Sequence, residues 1–379
     1  MNLLIPQEKL KEGLNIIERI SGKSLTLPIL NNALVRAQKS FLNLSATDLE
    51  VGVNWWSLAK IEKEGEIAVP VRLLSSFLNL LPNKQISLEE KNQSLFIQCD
   101  NHQAHIKGFL ADDFPIIPQI SKEEFIELEI IPFCQGLSQV VDIAALSQTR
   151  PEISGVYFSF RKDAVKVVAT DSFRLGEKSF SPEKIGITVQ NNKELAFILP
   201  QKTVREIINI FGDKEGKFRI YFSPNQVLFE SQMTETNHPH IQLVSRLIEG
   251  EYPAYQEIIP QKHGTEIILN RSELLNQIKI ASLFSGKISE VKLIVDNKKG
   301  GMEILSQSAD LGEHRSFLPG KIKGESLEIS FNHRFLSDGL SNIKNPEVAF
   351  SLNKEEGPAV LKPVGDQSYL YVVMPIKKS

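Results

Sequence analysis

The sequence predicts an α+β protein built from three copies of one domain, each with two helices packed on antiparallel sheets. Three observations predict it. A sixteen-residue segment recurs as IAVPVRLLSSFLNLLP from Ile67, FILPQKTVREIINIFG from Phe197 and ISFNHRFLSDGLSNIK from Ile329. A second helical segment precedes each copy: IPQEKLKEGLNIIERIS from Ile5, IPFCQGLSQVVDIAALS from Ile131 and LNRSELLNQIKIASLFS from Leu269. Between and after the helices lie short alternating apolar runs joined by polar turns, the pattern of antiparallel sheets with one buried face.

Each sixteen-residue copy reads as an apolar strand, a break at Pro70, Pro200 or Asn332, and an amphipathic helix. Leu74, Leu78 and Leu81 fall at i, i+4 and i+7, as do Val204, Ile208 and Phe211, and Leu336, Leu340 and Ile343. That spacing places each triplet on one helical face. In the earlier helices the matched positions are Leu14, Ile17 and Ile20; Val140, Ile143 and Leu146; and Ile278, Ala281 and Phe284. A turn of two small residues and an aspartate follows in each unit: Ala46-Thr47-Asp48, Ala169-Thr170-Asp171 and Ser308-Ala309-Asp310. The third copy is the least regular, with Asn332 for proline and Gly339 and Asn342 at apolar positions. A period of about 130 residues is far above that of solenoids and propellers, so the repeating unit is a whole domain. Domains are expected at residues 1–119, 120–262 and 263–379, with linkers near Pro118 to Glu127 and Glu249 to Glu266.

The 379 residues are 41% hydrophobic and 23% charged, with a net charge of −3, so bulk charge names no partner. No leader pattern opens the chain at MNLLIPQEKL and no apolar run is long enough to span a membrane. Cys99 and Cys134 lack the spacing of a disulfide framework or a zinc site. A soluble, cytoplasmic protein is expected.

Motifs of catalysis are missing. There is no phosphate-cradling glycine loop, no H-E-x-x-H and no G-x-S-x-G. The pairs His102 and His105, and His238 and His240, have no third ligand at a recognisable metal spacing and read as surface or hairpin histidines. Asp112-Asp113 and Glu123-Glu124 read as solvated loop acids. A binder or scaffold without metal or cofactor is expected, not an enzyme. The charge, moreover, is segregated. The six helical segments carry seven more basic than acidic residues, and the rest of the chain ten more acidic than basic. Arg19, Lys23, Arg72, Lys84, Arg150, Lys202, Arg205, Lys279, Lys287 and Arg334 are the candidate contacts to DNA phosphates. Cations spread over several helices, without interleaved aromatics, suit backbone contact that reads no sequence.

Seven further segments carry a family resemblance over essentially the whole chain: LTLPILNNAL from Leu25, ATDLE from Ala46, ADDFPIIP from Ala111, TRPEISGV from Thr149, VATDSFRL from Val168, LIEGEYPAY from Leu247 and YVVMPIK from Tyr371. In this order they resemble the bacterial DNA polymerase III β subunit family, the replication sliding clamps. The resemblance implies a DNA clamp fold: three domains per chain, and a head-to-tail homodimer closing a six-domain ring lined by helices. It implies a processivity factor that encircles duplex DNA without reading its sequence and tethers the polymerase III catalytic subunit, the clamp loader and repair proteins.

By the same resemblance, Ile106 would meet Leu283 and Phe284 across the dimer interface, although Phe284 also fits a core position. A groove for short apolar peptide tails would take Thr170, Ser172, Arg174 and Leu175 from a strand turn. Ile153, Pro253 and Ile258 would add wall, and Val372, Met374, Pro375 and Ile376 a C-terminal lip. This chain departs from the family at Ser172, usually glycine, at Phe173, commonly histidine or tyrosine, and at Glu257, arginine in some members. Two other classes stay open on the residues alone: a DNA-processing enzyme on a duplicated α+β domain, and a monomeric peptide-binding adaptor.

Overall fold

The computed structural model describes residues 1–22, 26–147, 149–161, 164–189, 194–353 and 357–377. Six rounds of one order, strand-helix-strand-strand-strand, make up the chain. The first runs β1 (Asn2–Pro6), α1 (Gln7–Ile20), β2 (Asn32–Gln38), β3 (Phe41–Thr47), β4 (Val51–Leu58) and a short β5 (Lys60–Lys63). The second is β6 (Gly65–Pro70), α2 (Val71–Asn79), β7 (Gln85–Lys91), β8 (Ser94–Cys99) and β9 (His102–Lys107). The third is β10 (Phe125–Glu129), α3 (Ile130–Val140), β11 (Gly155–Phe160), β12 (Val165–Thr170), β13 (Arg174–Phe180) and β14 (Thr188–Val189). The fourth is β15 (Leu195–Pro200), α4 (Gln201–Phe211), β16 (Lys217–Ser223), β17 (Gln226–Gln232) and β18 (Pro239–Arg246). The fifth is β19 (Thr265–Asn270), α5 (Arg271–Ser282), β20 (Glu290–Asp296), β21 (Gly301–Ser308), β22 (Gly312–Pro319) and β23 (Lys321–Gly324). The sixth is β24 (Leu327–Asn332), α6 (His333–Asn342), β25 (Glu347–Leu352), β26 (Ala359–Pro363) and β27 (Tyr369–Val373).

The strand-to-helix breaks have two chemistries. Pro6, Pro70 and Pro200 end their strands because proline cannot donate to the ladder. Asn270 and Asn332 instead cap α5 and α6, accepting from the Glu273 amide at 3.0 Å and the Arg334 amide at 2.9 Å. Asn332, irregular in sequence, therefore does the same work as its prolines. α3 begins at Ile130, two residues before the break expected at Pro132. Proline is tolerated in a first turn, where its missing N–H has no intrahelical partner to lose.

The expected apolar faces of α1, α2 and α6 are buried throughout. Leu146 departs from expectation: it is 94% exposed. α3 ends at Val140 and tightens into a 3₁₀ turn over Val141–Ile143, so helical spacing no longer aims residue 146 at the core. Ile208 and Phe284 are half-buried. Gly339 is explained by its neighbour, since a β-carbon there would lie 2.5 Å from the Tyr371 ring, which packs against α6. The Tyr371 hydroxyl donates to the Phe335 carbonyl at 2.7 Å.

The chain divides into two compact units, one of residues 1–133, 186–192 and 205–247, the other of residues 134–185, 193–204 and 248–379. All sheets are antiparallel within the described pairs. The first unit holds a nine-stranded sheet, β14-β10-β16-β17-β18-β4-β3-β2-β6, and a five-stranded one, β5-β1-β7-β8-β9. The second holds a nine-stranded sheet, β23-β19-β25-β26-β27-β13-β12-β11-β15, and a four-stranded one, β22-β21-β20-β24. Both nine-stranded sheets are therefore a block of five joined to a block of four, through β18–β4 in one and β27–β13 in the other. The remaining blocks, of five and of four, end at β9 and β22.

Candidate functional site

The β12–β13 turn is tied by its own side chains. Asp171 Oδ1 accepts from the amides of Phe173 (3.0 Å) and Arg174 (2.9 Å), and the Thr170 hydroxyl donates to the Arg174 carbonyl at 2.7 Å. The Ser172 amide donates back to Thr170 Oγ1 at 3.2 Å, and Ser172 adopts φ +76°. Left-handed backbone is where glycine costs least, a physical reason for the family's usual residue. Arg150 Nη1 donates to the Ser172 hydroxyl at 3.0 Å.

Arg174 is the centre of the site. Its guanidinium binds Asp171 Oδ2 at 3.0 Å and Asp338 Oδ2 on α6, and lies 4.8 Å from the Phe335 ring centroid. Burial works against its charge, but Tyr371, Asp338 and Asp171 outweigh burial and hold the guanidinium protonated. Phe173, 62% exposed, stacks on Phe335 at 6.3 Å. These contacts fix the turn against α6 while leaving an aromatic surface open.

β27 supplies the other side. Leu175 pairs with Val372, and the Met374 amide donates to the Phe173 carbonyl at 2.9 Å. Leu175 and Val372 are buried with Val168, Ile198, Tyr252, Tyr255, Val360 and Leu370. Met374 and Ile376 are half-buried, and Pro375 is buried. Ile153 is held beside Thr170 because the Ala145 amide is shared between the carbonyls of Ile153 (3.0 Å) and Thr170 (3.2 Å). Pro253, half-buried, accepts from the Tyr255 amide at 2.7 Å. Ile258 stands exposed at the end of the turn Tyr255–Ile258; its neighbour Ile259 packs on the cluster instead. Tyr255 donates to Glu177 Oε2 at 2.7 Å, and burial, then Glu177, raise its pKa. The sequence reading missed Phe335 and Asp338. No signal in the sequence marks them, since the same repeat positions hold Thr203 and Glu206, or Leu73 and Ser76.

The candidate phosphate contacts divide by position. Arg72, Lys202 and Arg334 occupy one repeat position, in the first turn of α2, α4 and α6, and all three are exposed. Arg19, Arg205 and Lys279 are exposed on α1, α4 and α5. Lys84, Arg150 and Lys287 lie off the helices: Lys84 binds Asp100 at 2.9 Å, and Arg150 binds Glu152 at 3.1 Å beside the β12–β13 turn. Lys23 lies outside the described residues. Of the three interface candidates, Leu283 is 69% exposed at the end of α5. Ile106 is buried on β9, and Phe284 is half-buried and stacked 5.9 Å from His314. Burial pushes the Cys134 thiol up to about 12, which removes it as a thiolate at neutral pH. Among the described residues, no helix is long and apolar enough to cross a membrane.

The chain is similar over its full length to the beta sliding clamp of Synechococcus elongatus, 28% identical over 384 residues covering 99% of that protein. The beta sliding clamp of Staphylococcus aureus is 26% identical over 387 residues, again covering 100% of this chain and 99% of the relative. Among solved structures, the DNA polymerase sliding clamp of Bacillus subtilis superposes with a TM-score of 0.92 at 25% identity, each chain covered completely. The DNA polymerase III subunit beta of Pseudomonas aeruginosa gives the same TM-score at 22% identity and full coverage of both. The α+β fold with three repeated domains agrees with both. Three family models match in order, the N-terminal domain at residues 1–118, the central domain at 132–254 and the C-terminal domain at 256–377, so the chain belongs to the DNA polymerase III beta subunit family.

Proposed function

We propose that this chain is a DNA sliding clamp: a processivity factor that closes with a second copy around duplex DNA and holds DNA polymerase there. The observation that carries the assembly is the division of the sheets. Two blocks of five are joined to blocks of four within the chain, and one block of each size is left with β9 and β22 as free edges. Joining β9 of one copy to β22 of another repeats the β18–β4 and β27–β13 joints and uses every block. Exposed edge strands of this kind are otherwise an aggregation hazard. The contact is head-to-tail, so two copies close a ring of six domains, with boundaries at residues 1–119, 120–262 and 263–379.

Helix contacts support the same joint. In the second unit Gln139 on α3 donates to the carbonyl of Asn342, which ends α6, at 2.7 Å; in the first, Glu12 on α1 binds Lys214 just beyond α4 at 3.0 Å. The third contact of this series would set α5 of one copy against the end of α2 of the other. There Leu80, at the repeat position of Asn342, is 85% exposed, Leu73 56%, and on α5 Leu283 69% and Ile280 38%. Ile106 contributes through the backbone of its edge strand, and Phe284 from behind Leu283.

The basic helix positions would line the hole and meet phosphates; acidic sheets and loops would face outward, which suits topological retention with weak individual contacts. The Phe173–Arg174–Met374 surface would take apolar peptide segments from the polymerase III catalytic subunit, the clamp loader and other clamp-binding proteins, methionine and aromatics giving an adaptable face. The role needs no catalytic group, metal or cofactor, and is exercised in the cytoplasm. Loaded protein should stay on closed circular DNA and leave once that DNA is cut by a restriction enzyme. Equal retention on linear and circular DNA would rule the mechanism out.

A further inference from the structure

In the first unit a cavity of about 930 Å³ opens on the face of the nine-stranded sheet turned away from α1. Strand alternation decides which side chains reach it: Trp55 faces α1 and is fully buried, whereas Trp56, Asn54, Asn43 and Ser45 line the cavity. The segment 111–122 forms its opposite wall. A volume of this size is within the range of ligand sites.

The repeat shows how the cavity arises. In the second unit the same face is closed by Val168, Leu175 and Leu370, packed with Tyr252 and Tyr255. Their counterparts in the first unit, by strand register and the shared Thr-Asp turn, are Ser45, Gly52 and Gln242. The apolar remainder falls into two small clusters, around Phe114 and around Ile120, with side-chain amides between them. A packed core has been replaced by a hole floored with Asn43, Asn54 and Gln242, whose amides are tied to the Trp55 carbonyl, the Ser45 hydroxyl and the Glu230 carboxylate, with Phe41, Trp56, Leu228 and Val244 as its apolar lining.

The wall has changed as well. Where the second unit turns through Tyr255–Ile258, residues 115–120 form neither helix nor strand. Among the described residues, the backbone amides of Ile116, Ile117 and Gln119 have no hydrogen-bond partner in the chain, and Ile116 is 92% exposed. A wall whose main-chain groups lack partners is one that the main chain of a bound peptide can satisfy. At the mouth, the Lys39 ammonium has no carboxylate partner among the described residues, whereas Arg36 is paired with Glu66 and Lys122 with Glu230.

We propose that this cavity is a second docking site, holding an extended peptide segment of a partner protein laid along residues 115–119, with an apolar side chain in the hole and a carboxylate on Lys39. It is separate from the Phe173–Met374 surface and does not depend on it.

The test is selection of phage-displayed random dodecapeptides on the full-length protein, counter-selected on the double variant Ser45→Val/Gln242→Leu, which restores the second unit's residues. Enriched peptides should combine alternate apolar residues with aspartate or glutamate. A synthetic copy, followed by fluorescence anisotropy, should bind at least tenfold more weakly to the double variant, to Ile116→Pro and to Lys39→Glu, and unchanged to Met374→Ala. If the double variant does not fold, the two exposed single variants carry the comparison. Failure to enrich any peptide that distinguishes the proteins overturns the proposal, as does binding insensitive to Ile116→Pro. So does calorimetric binding of an oligosaccharide or a nucleoside monophosphate that the double variant loses, which would assign the hole to small solutes.

Discussion

Ser172 at φ +76° and Leu49 at φ +77° hold the same position of the same turn in two successive domains. In these two domains the turn demands left-handed backbone there, and a side chain survives because Thr170 and Asp171, or Thr47 and Asp48, tie both flanks; the third copy is one residue shorter and places its left-handed residue at Gly312. Ser172→Gly should fold normally, while Ser172→Val should cost about 1–2 kcal/mol in urea unfolding, since a β-branched residue resists this region most. Met374→Ala removes a half-buried thioether from the lip without touching β9, β22, α2 or α5. It should weaken binding of an apolar clamp-binding peptide about tenfold in fluorescence titration and leave the sedimentation profile unchanged. His240 sets an acid limit. Burial pulls its pKa below the ordinary 6.5; Glu12, 3.9 Å away, opposes this, and Lys214 and Lys9 reinforce it. The unfolded chain therefore binds the proton first, and stability should fall as pH drops below about 6.5 until the folded imidazole titrates. Thermal melts of His240→Gln should be flatter over that window. Thr170, Arg174 and Leu175 were legible in sequence only through the resemblance of one short motif to a known family; Phe335 and Asp338 were not legible, because they come to Arg174 only when α6 packs beside β13.

At the scale of elements, the sequence reading was strongest where a local signal and a buried face coincide. Pro70, Pro200 and Asn332 mark the strand-to-helix breaks, and the apolar triplets of α2 and α6 are buried as spaced. Leu146 shows the limit: apolar spacing cannot report that a helix has already tightened and ended. The β18–β4 and β27–β13 joints were illegible for another reason. Any of these alternating strands could pair with any other edge, and only tertiary packing selects the partner. The exposed ends of α2 and α5 carry the element-level prediction. Leu283→Asp, or Leu80→Asp, would bury a charge in the proposed joint and should convert the protein to a species of one chain's mass, 42.6 kDa, in sedimentation. Both residues are exposed in the single chain, so its melting temperature should hardly change.

For the whole molecule, a net charge of −3 conceals a modest segregation: within their structural bounds the six helices carry three more basic than acidic residues, fewer than the seven expected from sequence, because cations such as Lys84 and Lys287 fall beyond the helix ends. Arg72, Lys202 and Arg334 recur at one helical position and are exposed in all three domains. Replacing all three by glutamate should shorten retention on circular DNA and reduce the salt dependence of binding, leaving peptide binding intact. No single residue of the three should be decisive, since a topological hold distributes its contacts. Retention by the triple variant equal to that of the unaltered protein at low salt would place the phosphate contacts elsewhere.

The proposed joint between β9 of one copy and β22 of another has a kinetic consequence. A ring of two copies has two identical joints, and the first to form is bimolecular while the second is intramolecular. Opening one joint leaves the partner tethered at the high local concentration set by the other, so reclosure outruns escape. Such a ring can part at one seam to admit a duplex and reseal without dissociating. Dilution should dismantle it far more slowly than the strength of either seam alone would suggest.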